Sequence, residues 1–498
     1  MNFDIGNPEA CYRATVRRDA RFDGRFYVAV TSTGIYCRPI CPAPPAKRKN
    51  YRFFPSAAAA HSAGFRPCIR CRPELAPGAA GWDGRDAYVK RAMEFIADGG
   101  LCDERRLEDL AGHVGVGPRH LRRLFGDHVG ASPIQVANAH KVALAKTLLA
   151  DSDLSITDVA FAAGFNSIRR FNDVFKTMFD RPPSALRRRG ERGDARSSII
   201  RLLLSYRPPH DWQSLLGFFV ERAVPGVEEV VGNEYRRTFR IGTAVGCVRL
   251  EQDSARAHIV AHVRIDRIVH LPALVGRLRH VIDADCDPAA LAADLGGDPW
   301  LRSSLRRRPG LRIPGAIDPF EQAVRAILGQ QISVRAARTL AGRIAARWGD
   351  ALPADGDPAW RECPGRLFPT ARELANARLE EEGVLPTRAA TIRTLAKAVA
   401  GHPELLSRFR PPSAVADELL AIAGIGPWTA EYIALRALGN PDAFPGSDLG
   451  LLKAARRHDP AMTAAALGRW AERWRPWRGY AATHLWASLD DDANGATK

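Results

Sequence analysis

Four cysteines constrain this chain more than any other feature. Cys37 and Cys41 form a C-x3-C pair within TGIYCRPIC, and Cys68 and Cys71 form a C-x2-C pair within GFRPCIRC, with 26 residues between the pairs. Two such knuckles can close a tetrahedral Zn²⁺ site, because paired thiolates reach one ion at about 2.3 Å without strain. Two disulfides or four unrelated thiols are the alternatives. The basic, proline-rich flanks and the absence of a secretory pattern in the charged residues 1–25 weigh against both. Cys11, Cys102, Cys247, Cys286 and Cys363 are scattered and read as ordinary small buried or surface residues.

At 498 residues the chain has room for three or four domains. No run of about 18 apolar residues occurs, so no membrane partner is expected. With the cysteines read as thiolates, the expected location is a reducing cytoplasm, in association with the nucleoid. Lys and Arg number 72 against 55 Asp and Glu, a net charge of +17 that points to a polyanionic partner.

Helical patterning between residues 85 and 189 repeats once. LEDLAGHVGVGPRHLRRLFGDHVGASP (107–133) aligns with ITDVAFAAGFNSIRRFNDVFKTMFDRPP (156–183) if one inserted residue is allowed. Ala111 then matches Ala160, Gly115 matches Gly164, Leu121 meets Phe171 and Phe125 meets Phe175. Each half reads as an apolar helix, a glycine turn and a second helix with basic exposed positions. RPELAPGAAGWDG (72–84) and GERGDARSS (190–198) read as linkers. Over 199–285 the period shortens: IIRLLLSY, YRRTFRI, CVRLEQ and AHIVAHVRI read as strands, with helices around Trp212–Arg222 and Leu274–Ile282. After Asp287 the pattern is helical, punctuated by Pro and Gly.

The text around the cysteines resembles, nearly end to end, the N-terminal domain of the Ada adaptive-response family. The resemblance implies that Cys37 accepts a methyl group from a DNA methylphosphotriester while Cys41, Cys68 and Cys71 act as ligands only, and it places Thr33 and Arg66 at DNA-contacting positions. Four thiolates on zinc carry a net charge of −2. Methylating one sulfur lowers that charge and its repulsion against phosphates, so a chemical event becomes a gain in DNA affinity. Pro42 and Pro44 stand where the family has arginines, and Lys47, Arg48 and Lys49 are the nearest replacement charges.

Residues 85–189 resemble the AraC-type DNA-binding domain, whose two helix-turn-helix units enter successive major grooves. Recognition helices are expected at about 118–126 and 167–176. Arg119, His120, Arg122, Arg123, Arg169, Arg170 and Asn172 are the candidates for phosphate or base contacts. A helical bundle with a merely solvated basic face is the alternative.

LLAIAGIGPWTAEYIALRAL (419–438) reads as helix, Gly-Ile-Gly turn, helix, with Gly424 and Gly426 letting the backbone approach a phosphate. Followed by Asp448 in AFPGSDLGLLK, it resembles the helix-hairpin-helix DNA glycosylases, and roughly 200–490 resembles the AlkA-type 3-methyladenine glycosylases. Asp448 is then the carboxylate that stabilises an oxocarbenium-like sugar; it also suits a helix N-cap. The same resemblance implies that Phe218, Trp428, Tyr432 and Trp486 line the base pocket, whereas Trp470, Trp474 and Trp477 are expected to be packing residues. Trp428 stands where bifunctional members carry a Schiff-base lysine, which implies glycosylase action without strand cleavage. Gln331 occupies the position of the residue that wedges into the vacated base stack. Leu449 and Ala487 replace two tyrosines, which implies a less aromatic pocket.

The expected fold is multidomain α+β. It comprises a four-cysteine zinc domain (1–80), an all-α double helix-turn-helix domain (85–189), a β-rich glycosylase N-lobe (199–285) and an all-α helix-hairpin-helix core (286–490). The expected function joins a methylphosphotriester-sensing transcriptional regulator to a monofunctional DNA-3-methyladenine glycosylase. Zn²⁺ is the expected cofactor, double-stranded DNA and RNA polymerase are the expected partners, and the chain is expected to act as a monomer. One rival is a regulator whose glycosylase part only binds damaged DNA. Another is a repair enzyme whose other parts only tether it. No Pro-Cys-His-Arg motif marks an O6-alkylguanine methyltransferase.

Overall fold

The computed structural model describes residues 7–73, 76, 87–101, 107–152, 154–186, 199–353 and 363–495. Cys102, most of the 72–84 break and the 190–198 linker lie outside them. Near the N-terminus β1 (Tyr27–Val30), β2 (Ile35–Cys37), β3 (Tyr51–Phe54) and β4 (Arg66–Pro67) form a sheet in the order β3-β1-β2-β4. Alternation splits its side chains between two small cores. Phe26 and Val28 pack with Cys11 on one face, and Ala29 and Tyr36 pack with Phe65 on the other. β4 runs parallel to β2, pairing Ile35 with Arg66 and Tyr36 with Pro67. Parallel neighbours end on the same side, so the residues that follow both strands, and with them the cysteines, converge there.

The two helix-turn-helix units comprise Leu107–Val114 with Pro118–Val129, and Ile156–Ala162 with Ile168–Phe179. The recognition helices run three residues past their expected ends. In each turn one glycine, Gly115 or Gly164, takes a φ of 83° that other residues rarely adopt. The connecting helix Pro133–Asp151 starts at a capping box in which Ser132 and Gln135 satisfy each other's backbone N–H groups.

The two units differ in what they pack against. Leu121 and Phe125 of the first join Val89, Phe95 and Ile96 of Ala87–Ala97 in a separate core, which Ala58 also enters and Phe409 packs against. Phe171, Phe175 and Phe179 of the second lie in one continuous apolar cluster with Leu202, Leu204, Trp212 and Leu278. A polar linker separates these regions in the sequence, yet they share a core.

The β-rich region is a five-stranded antiparallel sheet, ordered β5-β9-β8-β7-β6. Its strands are β5 (Ile200–Ser205), β6 (Glu228–Val231), β7 (Glu234–Ile241), β8 (Ala244–Asp253) and β9 (His258–Ile265). The sequence reading contains four of these strands and lacks β6, because EEVV hides its alternation behind two glutamates. Glu228 is nevertheless buried, accepting from Tyr235 Oη at 2.7 Å and pairing with Arg325. Arg325 also meets Glu321 at 2.9 Å, and Glu321 meets Arg237 at 2.8 Å. This buried ionic group ties the sheet to the helix Pro319–Leu328, and deleting one partner would strand a buried charge at a cost of about 3–5 kcal/mol.

The expectation of scattered, ordinary cysteines is corrected at one pair. Cys247 on β8 is disulfide-bonded to Cys363, with Cα atoms 6.1 Å apart across a sequence separation of 116. Both lie beside Leu352 and Leu367, which pack with Val245 of β8. That contact brings together two thiols which no local spacing relates. The helices from Pro288 onward share the largest core cluster, with Trp474 1% exposed and Trp470 and Trp477 packed against it. No helix among the described residues is long and apolar enough to cross a membrane.

Candidate functional site

Cys37 closes β2. The backbone then turns, with Cys41 N–H donating to Arg38 O at 3.1 Å, and just past the neighbouring strand Cys68 N–H donates to Tyr36 O at 2.9 Å. All four cysteine sulfurs lie within 4.8 Å of one another. A tetrahedral zinc site with bonds of about 2.3 Å has sulfur–sulfur edges of about 3.8 Å, so the set fits that ion. Cys68 and Cys71 are buried, whereas Cys37 and Cys41 are half-buried and open one side of the cluster.

Arg38 supports the group from behind. Its backbone N–H points at Cys71 Sγ (3.4 Å), and its guanidinium bonds both Asp23 Oδ1 (2.8 Å) and Cys71 O (3.3 Å). Thr33, Lys47, Arg48 and Lys49 are exposed on the same small domain, with Arg48 paired to Glu9. Arg66 is also exposed, but it reaches Asp180, the residue that ends the second recognition helix, at 3.3 Å. The zinc module and that recognition helix are therefore neighbours.

On the recognition helices Leu121, Phe125, Phe171 and Phe175 face inward, so the opposite faces are free. Arg119, His120, Arg122 and Arg123 are exposed on one helix, and Arg169, Arg170 and Asn172 on the other. Ser167 caps the second through its hydroxyl and Arg170 N–H, an interaction worth about 1 kcal/mol that aims the first helical turn outward.

The hairpin joins Pro412–Leu420 to Pro427–Arg436. Gly424 turns at a φ of 92°, and a β-carbon there would fall 2.0 Å from Thr391 Oγ1. Gly426 is the N-cap of the second helix, with open space where a side chain would stand. Beside this hairpin Gln331 stands exposed at the turn after Pro319–Leu328, in a left-handed conformation with a φ of 54°. Its neighbour Gln330, which the sequence reading does not single out, fixes that turn to the hairpin. Gln330 Nε2 donates to Gly424 O and to Thr429 Oγ1, each at 2.9 Å, and Arg388 donates to Gln330 O.

Asp448 caps the helix Leu449–Ala455 by accepting from Leu451 N–H at 3.0 Å. The same carboxylate accepts from Trp428 Nε1 at 3.1 Å and from Trp486 Nε1 at 2.8 Å. Three donors from three elements hold it in one orientation while leaving lone pairs free. Trp428 stacks on Tyr432 one turn further along their helix, with centroids 5.4 Å apart and planes 11° from parallel. Tyr432 meets Trp486 edge-on at 6.4 Å. Leu449 is 81% exposed beside Asp448 and covers none of this surface.

Phe218 closes the group from the β-rich lobe. The C-terminal end of its helix is pinned where Arg325 donates to Arg222 O (2.6 Å) and Arg338 to Ala223 O (2.7 Å). Two guanidinium carbons lie over the Phe218 ring, that of Arg222 at 4.1 Å and that of Arg436 at 4.3 Å from its centroid. Arg436 is 5% exposed, and desolvation draws its pKa down to about 10, which leaves it charged at neutral pH. The sequence reading passes over Arg436, although Trp428, Tyr432 and Arg436 stand four residues apart on one helical face.

Four family models match consecutive parts of this chain. They are the metal binding domain of Ada at residues 10–74, a helix-turn-helix domain at 110–189, the AlkA N-terminal domain at 201–318, and the HhH-GPD superfamily of base excision DNA repair proteins at 324–477. A "Probable bifunctional transcriptional activator/DNA repair enzyme AlkA" from Mycobacterium tuberculosis is 42% identical over 98% of this chain and 97% of its own length. The chain belongs to the family of bifunctional transcriptional activator/DNA repair enzymes. Within that family it joins a regulatory half to a glycosylase half. The latter is also 36% identical to DNA-3-methyladenine glycosylase 2 of Escherichia coli, over 57% of this chain and 95% of the relative. Among solved structures, a 3-methyladenine DNA-glycosylase from Archaeoglobus fulgidus matches with a TM-score of 0.50 and 26% identity, covering 57% of this chain and 96% of that one.

Proposed function

We propose that the protein couples methylphosphotriester sensing to the excision of alkylated purines. The excision half acts as a monofunctional DNA-3-methyladenine glycosylase. The observation that carries this reading is the Asp448 carboxylate, held by two indole N–H groups beside the stacked Trp428–Tyr432 pair. A flipped 3-methylated purine is electron-poor and suits an aromatic face, which sets its sugar toward Asp448. As the C1′–N bond breaks, its electron pair leaves with the base and positive charge grows on the sugar, where the carboxylate stabilises it. Water then adds to C1′ and gives up its proton. Trp428 offers no amine, so the product is an intact abasic strand.

In the regulatory half Cys37, Cys41, Cys68 and Cys71 would hold zinc, which would supply the charge that keeps the thiols deprotonated at neutral pH. Cys37 Sγ is the methyl acceptor. It attacks the methyl carbon in line, and the C–O pair returns to the phosphate oxygen as the diester re-forms. Arg38, bonded to Asp23, holds the backbone behind the nucleophile. The loss of one sulfur charge reduces repulsion against phosphates, and the exposed arginines of the recognition helices then hold promoter DNA more tightly. The methylated protein contacts RNA polymerase there as a monomer.

Single-turnover excision on duplexes carrying 3-methyladenine tests the glycosylase. Wild type should release the base without nicking the strand, and borohydride should trap no protein–DNA adduct. Release that is unaltered in Asp448→Asn would overturn the assignment. For the sensor, peptide mass spectrometry after exposure to methylphosphotriester DNA should find the added methyl on Cys37. A methyl on Cys41, Cys68 or Cys71 would refute that choice.

A further inference from the structure

The aromatic group beside Asp448 ends on a buried cation. Trp428, Tyr432 and Arg436 follow one another on a single helical face, so Arg436 lies two turns, about 12 Å, beyond the residue that bonds Asp448. The partners of its guanidinium are neutral. Nε donates to Pro314 O, Nη1 donates to Tyr432 Oη at 3.1 Å, and the Phe218 and Tyr432 rings lie 4.3 and 5.8 Å from its central carbon. Among the described residues no carboxylate is paired with it, and the nearby Arg222 and Arg325 add further positive potential. A buried charge without a counter-ion is costly. Its potential also reaches far, because the surroundings screen it weakly. The group is thus polarised, with an anion beside the sugar at one end and a cation at the other.

Resting on the glycosylase reading above, we propose that Arg436 is a base-side cation that draws the glycosidic electron pair onto the departing base, and that it thereby sets the enzyme's preference between neutral and cationic bases. When the C1′–N bond of a nucleotide breaks, its electron pair moves onto the base. A cationic 3-methyladenine leaves neutral, and the proton released by the attacking water goes to solvent. A neutral purine such as hypoxanthine leaves as an anion and takes up the proton given up by water. The electron shift is favoured by a fixed cation in both cases, but binding differs. Arg436 repels the already cationic base in the bound state, whereas it costs the neutral base nothing and stabilises the anion that forms. Arg436 therefore acts most strongly on neutral bases.

The test compares full-length wild type, Arg436→Met and Arg436→Lys. Second-order single-turnover rate constants, taken with enzyme below its Kd so that they include binding, are measured together with affinity on duplexes carrying 3-methyladenine or hypoxanthine. Arg436→Met should lose roughly 10²-fold on hypoxanthine, the scale of one lost electrostatic stabiliser. On 3-methyladenine it should lose little or nothing, because slower bond breaking is offset by tighter binding of that duplex. Arg436→Lys, which keeps the charge, should recover most of the hypoxanthine rate. Equal losses on both bases, or a lysine variant no better than methionine, would show a packing role and overturn the proposal. A wild type that excises 3-methyladenine but leaves hypoxanthine intact overturns it too. A wild type that excises neither base overturns the glycosylase reading instead. Should Arg436→Met fail to fold, Tyr432→Phe removes the Nη1 tether while keeping the arginine, and it should shift the rate ratio in the same direction; an unchanged ratio counts against the proposal.

Discussion

The four-cysteine cluster and the Asp448 pocket build reactive anions by opposite means. The cysteines span residues 37–71, and the two strands they end or follow are parallel neighbours in one small sheet. Their chemistry lies in what the atoms are, because four thiols at knuckle spacing suit a soft cation wherever they meet. Asp448 is an ordinary carboxylate whose character comes from elsewhere. Trp428 lies 20 residues away, Trp486 lies 38 away, and Phe218 belongs to a different lobe. A site made by atom identity tolerates a small scaffold. A site made by surroundings needs the whole fold behind it.

Ligand loss gives the largest contrast between the two. Cys68→Ser should empty the zinc site and unfold residues 7–73, since structural zinc supplies about 10–16 kcal/mol to modules of this size. Zinc content and protease sensitivity measure this. Excision of 3-methyladenine should change by no more than about twofold, and a collapse of excision would show that the two sites are not independent. Asp448→Asn inverts the experiment. Asparagine caps a helix as well as aspartate does, so melting should hardly move while excision falls roughly 10²–10³-fold, and methyl uptake at Cys37 should be unaltered.

Smaller effects sharpen the claim that surroundings make the carboxylate. Trp486→Phe keeps the ring but removes the donor 2.8 Å from Asp448. A hydrogen bond to a charged group is worth about 1.5–3 kcal/mol, so excision should fall about tenfold or more; an unchanged rate would mean that orientation by the indole is dispensable. Gln330→Ala, which frees the wedge turn from the hairpin, should slow excision by at most about 30-fold, the worth of two neutral hydrogen bonds of about 1 kcal/mol each. Its effect should vanish on single-stranded substrate, where no base stack must be parted. On the regulatory side, replacing Arg169 and Arg170 by Ala should lower the salt slope of promoter binding by about 0.9 for each phosphate that is no longer neutralised. An unchanged slope would mean that this helix does not touch the backbone.

Much of this organisation was open to reading one residue at a time. The cysteine spacing, the duplicated glycine turns at Gly115 and Gly164 and the Gly-Ile-Gly hairpin are short patterns, and the helices and turns form within a few residues of where the patterns place them. The reading misses β6 because Glu228 and Glu229 look like solvent-facing residues. The partners that bury Glu228, Tyr235 and Arg325, are supplied from 7 and 97 positions away. Gln330 was hidden beside Gln331 for a similar reason, since both are polar residues in a turn and only the hairpin packed against them separates an anchored glutamine from an exposed one.

The sequence by itself determined what depends on near neighbours: which thiols stand at knuckle spacing, where helices begin and turn, and which carboxylate follows the hairpin. Backbone sterics, capping and ligand identity act over a few residues, so a linear pattern records them. Tertiary structure alone decided that the second helix-turn-helix unit shares its core with the β-rich sheet, that Cys247 meets Cys363, and that Asp448 receives two indole donors. It also left Arg436 charged, buried and, among the described residues, without a paired carboxylate at the far end of the same aromatic group. Burial and electrostatic potential are sums over atoms that the chain brings together from distant positions, and no local pattern contains such a sum.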